Sequence, residues 1–94
     1  MVKLSIIIPA YNEESRIEKT VLEYIKFFDK NMLYQYNITI IPNNCKDHTT
    51  NIAARLSKKY PQIGFKEFRQ PIGKSGALIE GFKMAQGDLI GFVD

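Results

Sequence analysis

Four short polar stretches hold the residues of this chain whose types and spacing could do chemistry. Tyr11-Asn12-Glu13-Glu14 offers an aromatic ring, an amide and two carboxylates, and Asn43-Asn44-Cys45-Lys46-Asp47-His48-Thr49 offers two amides, a thiol and a carboxylate. Gly73-Lys74-Ser75-Gly76 sets a cation between glycines, and Asp94 adds a further carboxylate. Together these are the parts needed to hold a nucleobase, a ribose, a diphosphate and a divalent cation. Other chemistries are poorly served. His48 is the only histidine, so no histidine-based triad can be assembled, and Cys45, the only cysteine, has no evident basic partner to form a thiolate. Gly73-Lys74-Ser75 satisfies the end of the P-loop pattern, but the residue five positions before Gly73 is Phe68, where that pattern demands glycine.

The elements between these stretches explain how they could meet. Leu4 to Ile8 is a β-branched apolar run that reads as a strand buried on both faces, and Pro9 is expected to end it because proline cannot donate to a ladder. Apolar residues at Ile17, Val21, Leu22, Tyr24, Ile25 and Phe28 predict a helix from about Glu13 to Phe28, for which Asn12 is a natural N-cap. Tyr36 to Ile41, closed by Pro42, repeats the design of the first strand. Asp47 is placed to cap a second helix that turns Ile52, Ala53, Leu56 and Tyr60 inward and ends before Pro61. Ile63 to Phe68 reads as a more polar edge strand. A third helix carries Ala77, Leu78, Gly81, Phe82 and Ala85 on one face, and Leu89 to Val93 is a fourth strand delivering Asp94.

This alternation, with right-handed crossovers, implies an α/β fold: a parallel four-stranded sheet flanked by helices. Parallel strands present their carboxyl ends to one rim, which is where open α/β sheets bind ligands, so the four polar stretches should converge there.

Bulk composition sets bounds. The chain has 94 residues, 45% hydrophobic and 24% charged, which is ordinary for one small globular domain and unlike a disordered chain. Its net charge of +3 is mild and its 13 basic residues are scattered, which argues against a nucleic-acid surface and is compatible with a phosphate-bearing ligand. A single cysteine allows no intrachain disulfide and fits a reducing, cytoplasmic setting. No stretch reaches the ~20 apolar residues of a membrane span.

The motifs themselves carry a resemblance. Ile6-Ile7-Ile8-Pro9-Ala10-Tyr11-Asn12-Glu13-Glu14 resembles the opening motif of GT-A glycosyltransferases of the dolichyl-phosphate sugar synthase type. In the same order, Asn43 to Thr49 resembles that family's second-strand turn, more often Asp-Asp-Gly-Ser-x-Asp-x-Thr. Gly73-Lys74-Ser75-Gly76-Ala77 with Glu80-Gly81 resembles its Gly-Lys-Gly-x-Ala…Glu-Gly segment, and Gly87 to Asp94 resembles the strand entering its Asp-x-Asp motif.

The resemblance implies a Rossmann-like N-terminal half of a GT-A domain, strand order 3-2-1-4. Residues 1–94 would form a nucleotide-sugar-binding half-domain that stops at the start of Asp-x-Asp. It implies an inverting glycosyltransferase that uses a nucleoside-diphosphate sugar, with a polyprenyl phosphate as one acceptor class. It also implies a cytoplasmic location, with the cytoplasmic face of a membrane as the finer alternative. Pro9, Tyr11 and Glu13 would line the nucleobase and ribose pocket, Asn43 or Asn44 would take the place of an acid that contacts the nucleoside, and Lys74 would lie near the diphosphate. Asp94 would be the first ligand of Mg²⁺ or Mn²⁺, with the catalytic groups expected after it, so that residues 1–94 alone would be inactive. The rival is a non-catalytic, receiver-like interaction domain, which should cluster acids after its first strand. In either case the fourth strand, if at an edge, should leave apolar side chains uncovered and favour self-association.

Overall fold

The computed structural model describes residues 2–32 and 35–93. Its elements are β1 (Leu4–Ala10), α1 (Ile17–Met32), β2 (Tyr36–Pro42), α2 (Thr49–Lys59), β3 (Ile63–Phe65), α3 (Gly73–Met84) and β4 (Leu89–Phe92). All strands pair in parallel, in the order β3-β2-β1-β4, as the motifs led us to expect. β1 and β2 lie at the centre and β3 and β4 at the edges. Even-numbered residues of the central strands, Ile6, Ile8, Ala10, Ile38 and Ile40, face α1 and α2 through Ile17, Val21, Ile25, Ala53 and Leu56. Ile7 and Ile41 face α3 through Ala77. Both faces of the central strands are therefore covered, which is why their sequences are almost continuously apolar.

Pro9 does not end its strand, whereas Pro42 closes β2 as expected. β1 runs through Pro9 to Ala10, with Pro9 opposite Ile41 and Ala10 opposite Pro42. Hydrogen bonding explains this correction. Odd-numbered residues of β1 direct their backbone toward β4, since Leu89 N–H donates to Lys3 O and Val93 N–H to Ile7 O. The nitrogen of Pro9 thus points past Phe92, where β4 has already ended. Even-numbered residues of β2 point to β3, where Lys66 N–H reaches Ile40 O, and Pro42 has no N–H with which to continue that ladder. β3 accordingly stops at Phe65 rather than Phe68, and only an isolated bridge between Asn43 and Phe68 resumes the pairing.

Helix α1 starts four residues later than expected, and the residues before it are tied to the second turn. Glu13 N–H donates to Thr49 Oγ1 at 2.7 Å and Glu14 N–H to Asp47 Oδ2 at 3.2 Å. Asn12, at φ 49°, caps nothing on its own helix and instead accepts the Lys46 N–H at 2.7 Å. The helix also continues past Phe28 to Met32, with Asp29 accepting the hydroxyl of buried Tyr36.

Two side chains expected inside are exposed. Leu22 lies at the rim of α1's apolar stripe, and Phe82 stands off the sheet, with its ring edge-on to that of Phe92. Leu89, Ile90 and Phe92 on the β4 edge are exposed as well.

Candidate functional site

At the carboxyl ends of β1 and β2 the structure has an open cavity of about 730 Å³. Pro9, Tyr11, Glu13, Asn43, Asn44 and Lys74, all six of the nucleotide-site residues expected from sequence, line it. Asp94 lies outside the described residues; Val93, just before it, is on the cavity wall.

The first wall is the turn after β1. Tyr11 is 61% exposed, so its ring is available to a flat ligand at the mouth. Both carboxylate oxygens of Glu13 accept from Arg16 Nη2 at 2.6 Å, one helical turn on. Arg16 and Thr20, which reach the cavity from the start of α1, were missed by reading the sequence. The three-residue spacing of Glu13 and Arg16 was the available signal, but only the late start of α1 aims both at the cavity.

The second wall is the turn after β2, stapled to the first. Besides the bonds to Glu13 and Glu14, the Asp47 carboxylate accepts the Thr49 N–H at 2.9 Å and the Thr49 hydroxyl at 2.6 Å. His48 occupies the N-cap of α2 with no capping side-chain bond, and Asp47 does that work from one residue upstream. Burial is the largest single influence on the Asp47 carboxyl and raises its pKa, yet the hydrogen bonds from Thr49 and Glu14 together outweigh it and hold it below the ordinary range. Cys45 is a packing thiol, donating to Ala10 O at 3.4 Å and receiving the Asn12 N–H at 3.5 Å. Asn44 takes φ 52°, a conformation asparagine tolerates better than most residues.

The third wall is the loop into α3. Gly73, at φ 75°, and Lys74 bring the helix start to the cavity, where the positive end of the helix dipole favours an anion. Asn43, 8% exposed, holds this loop through its amide.

An aromatic mouth, a carboxylate beside the central strands, and a helix start with a lysine define a Rossmann-like α/β protein with a ligand rim. Residues 5–94 match the family described as Glycosyl transferase family 2, and the chain belongs to that family. A dolichyl-phosphate beta-glucosyltransferase of Trichomonas vaginalis is 31% identical over 99 residues, covering 99% of this chain and 30% of that protein. The chain thus spans about 30% of the length of such relatives. The TarS structure of S. aureus superposes with a TM-score of 0.82 at 24% identity, over 99% of this chain and 27% of that one. The mannosyltransferase PcManGT from Pyrobaculum calidifontis, solved in complex with GDP-Man and Mn²⁺, gives 0.79 at 23% identity over 94% and 26%. These structures share the GT-A fold with this chain. The family match over residues 5–94 sets aside the receiver-like alternative. Among the described residues, no helix is long and apolar enough to cross a membrane.

Proposed function

We propose that this chain is the donor-binding part of an inverting glycosyltransferase that takes a nucleoside-diphosphate sugar and passes the sugar to a polyprenyl phosphate at the cytoplasmic face of a membrane. The observation that carries this reading is the gathering of six separately encoded residues in one cavity at the carboxyl ends of the parallel strands. In this reading Tyr11 covers the base and Glu13, oriented by Arg16, accepts hydrogen bonds from the ribose hydroxyls. Lys74 and the start of α3 take the diphosphate. The acceptor class follows the dolichyl-phosphate relative, and the donor class follows the GDP-Man complex of the structural neighbour.

Titration of the chain with UDP and GDP, followed by amide chemical shifts, tests the reading. Shifts should concentrate at residues 11–16, 43–46 and 73–76, and their absence at millimolar nucleotide, or confinement to the opposite edge of the sheet, overturns it. Replacing Lys74 with alanine should weaken the diphosphate about five- to tenfold, the size of one charge-assisted contact, and flatten the salt dependence of binding.

The described residues do not by themselves make a metal site, because Glu13 is committed to Arg16 and no cluster of ligands surrounds it. Asp94, directly after the cavity-lining Val93, is the carboxylate proposed to share Mg²⁺ or Mn²⁺ with phosphate oxygens, a common arrangement for these ions. Such an ion would supply positive charge to the departing diphosphate. Paramagnetic broadening by Mn²⁺ should therefore depend on added nucleotide, and Asp94→Asn should remove most of it; equal broadening in both proteins makes Asp94 an ordinary strand-end residue.

A further inference from the structure

We propose that Asn43 is a positioning residue, whose amide locks the diphosphate-facing loop against the central strands, and that Asn44 is the amide left to meet the nucleoside. The division of labour rests on the nucleotide reading above, but its mechanical half does not. Asn43 Nδ2 donates to two carbonyls, Phe68 O at 3.2 Å and Gln70 O at 2.6 Å, while Oδ1 accepts the Gly73 N–H at 2.9 Å. Two acceptors and one donor also fix which end of the amide is nitrogen. Three of the four hydrogen bonds an asparagine side chain can make are thus spent on one loop, and the residue is 8% exposed.

The anchor behind this clamp is the sheet itself. Asn43 N–H donates to Ala10 O at 2.8 Å and Asn44 N–H to Phe68 O at 2.7 Å, so the side chain springs from a backbone tied to β1 and to the residue bridging β2. Gly73 is the first residue of α3 and Lys74 the second. By holding the Gly73 N–H, Asn43 sets where that helix start and its lysine meet the cavity. An aspartate at this position could accept the Gly73 N–H but would turn a charged oxygen toward two carbonyl oxygens in a largely desolvated site, leaving Gln70 O without the donor it has here and Phe68 O with the Asn44 N–H alone. The chain's departure from the acid more usual in this turn then has a physical reason: this loop demands a donor. Asn44, half-buried and lining the same cavity, has no side-chain hydrogen bond among the described residues, which leaves its amide for a ligand.

Amide hydrogen exchange on the ligand-free chain tests the clamp without any variant. The Gly73 amide should exchange at least about tenfold slower than in an unstructured peptide, and exchange at the peptide rate overturns the clamp. In Asn43→Ala that protection should be lost. For binding, the better of UDP and GDP is compared with its nucleoside alone. Asn43→Ala and Asn43→Asp should weaken the diphosphate about tenfold while leaving the nucleoside within about twofold, whereas Asn44→Ala should weaken both alike. Equal losses of nucleoside and diphosphate in Asn43→Ala would make Asn43 the base reader and sink the proposal. A parent chain that binds neither ligand while keeping Gly73 protected removes the nucleotide reading and leaves the clamp standing.

Discussion

Replacing Gly81 with alanine should destabilise the protein by up to about 2 kcal/mol, even though alanine is the better helix former. The intrinsic preference for alanine within a helix is worth about 1 kcal/mol. Against it stands the packing of α3 on the sheet: a Cβ at Gly81 would overlap Cγ2 of Ile7 and stand 3.2 Å from its Cγ1 and Cδ1. Ile7 is fully buried and β-branched, so it has no easy rotamer to retreat to. Overpacking of this kind typically costs 1–3 kcal/mol and exceeds the helical gain where the neighbour cannot move. Denaturant unfolding of Gly81→Ala, Ile7→Ala and the double variant checks the cause. The double variant should be at least about 1 kcal/mol more stable than the sum of the single effects implies, because removing Ile7's branches admits the new methyl. Additive costs would place the strain elsewhere. Because α3 carries Gly73 and Lys74, a helix lifted off Ile7 should also weaken nucleotide binding.

The second large effect is expected at Thr49. Its side chain is fully buried, its hydroxyl accepts the Glu13 N–H, and it donates to Asp47. Thr49→Val keeps the shape and leaves the Glu13 N–H without an acceptor in a partly buried site, which should cost about 1–3 kcal/mol in thermal or denaturant unfolding. A cost below about 0.5 kcal/mol would mean that water replaces the hydroxyl. Asp47, the other half of the staple, adds a pH dependence. Its folded pKa lies below the ordinary 3.8, so its stabilisation is complete above the unfolded value and disappears as pH falls through the folded one. Asp47→Asn should therefore be less stable than the parent at pH 7, with the gap narrowing below about pH 4. A gap independent of pH would show that the carboxylate charge is immaterial.

Much of this molecule could be read without coordinates. The β-branched runs at Ile6–Ile8 and Ile38–Ile41, the helical spacing of Ile17, Val21 and Ile25, and the polar stretches after the strands each report a local requirement, burial on two faces, burial on one stripe, or a turn. Side-chain chemistry is equally local, so the polar stretches that gather at the cavity were nameable from type and position, and the family resemblance singled out Pro9, Tyr11, Glu13, Asn43, Asn44 and Lys74. Family motifs supplied the strand order.

What the tertiary structure alone decided are the matters of partnership. Whether Pro9 ends its strand depends on how far β4 extends beside it, which no property of the proline encodes. Asn12 has the right chemistry for a cap, yet the Lys46 N–H competes for its oxygen from 34 residues away. Leu22 and Phe82 sit at helical spacing with core residues, but a helix on a sheet buries only the stripe in contact, and residues at its margin stay wet. Asn43 reads as a ligand-facing amide until three backbone groups of a loop 25 to 30 residues downstream occupy it. A hydrogen-bonding side chain announces its capacity in the sequence; which donor or acceptor arrives first is settled only when the chain has closed on itself.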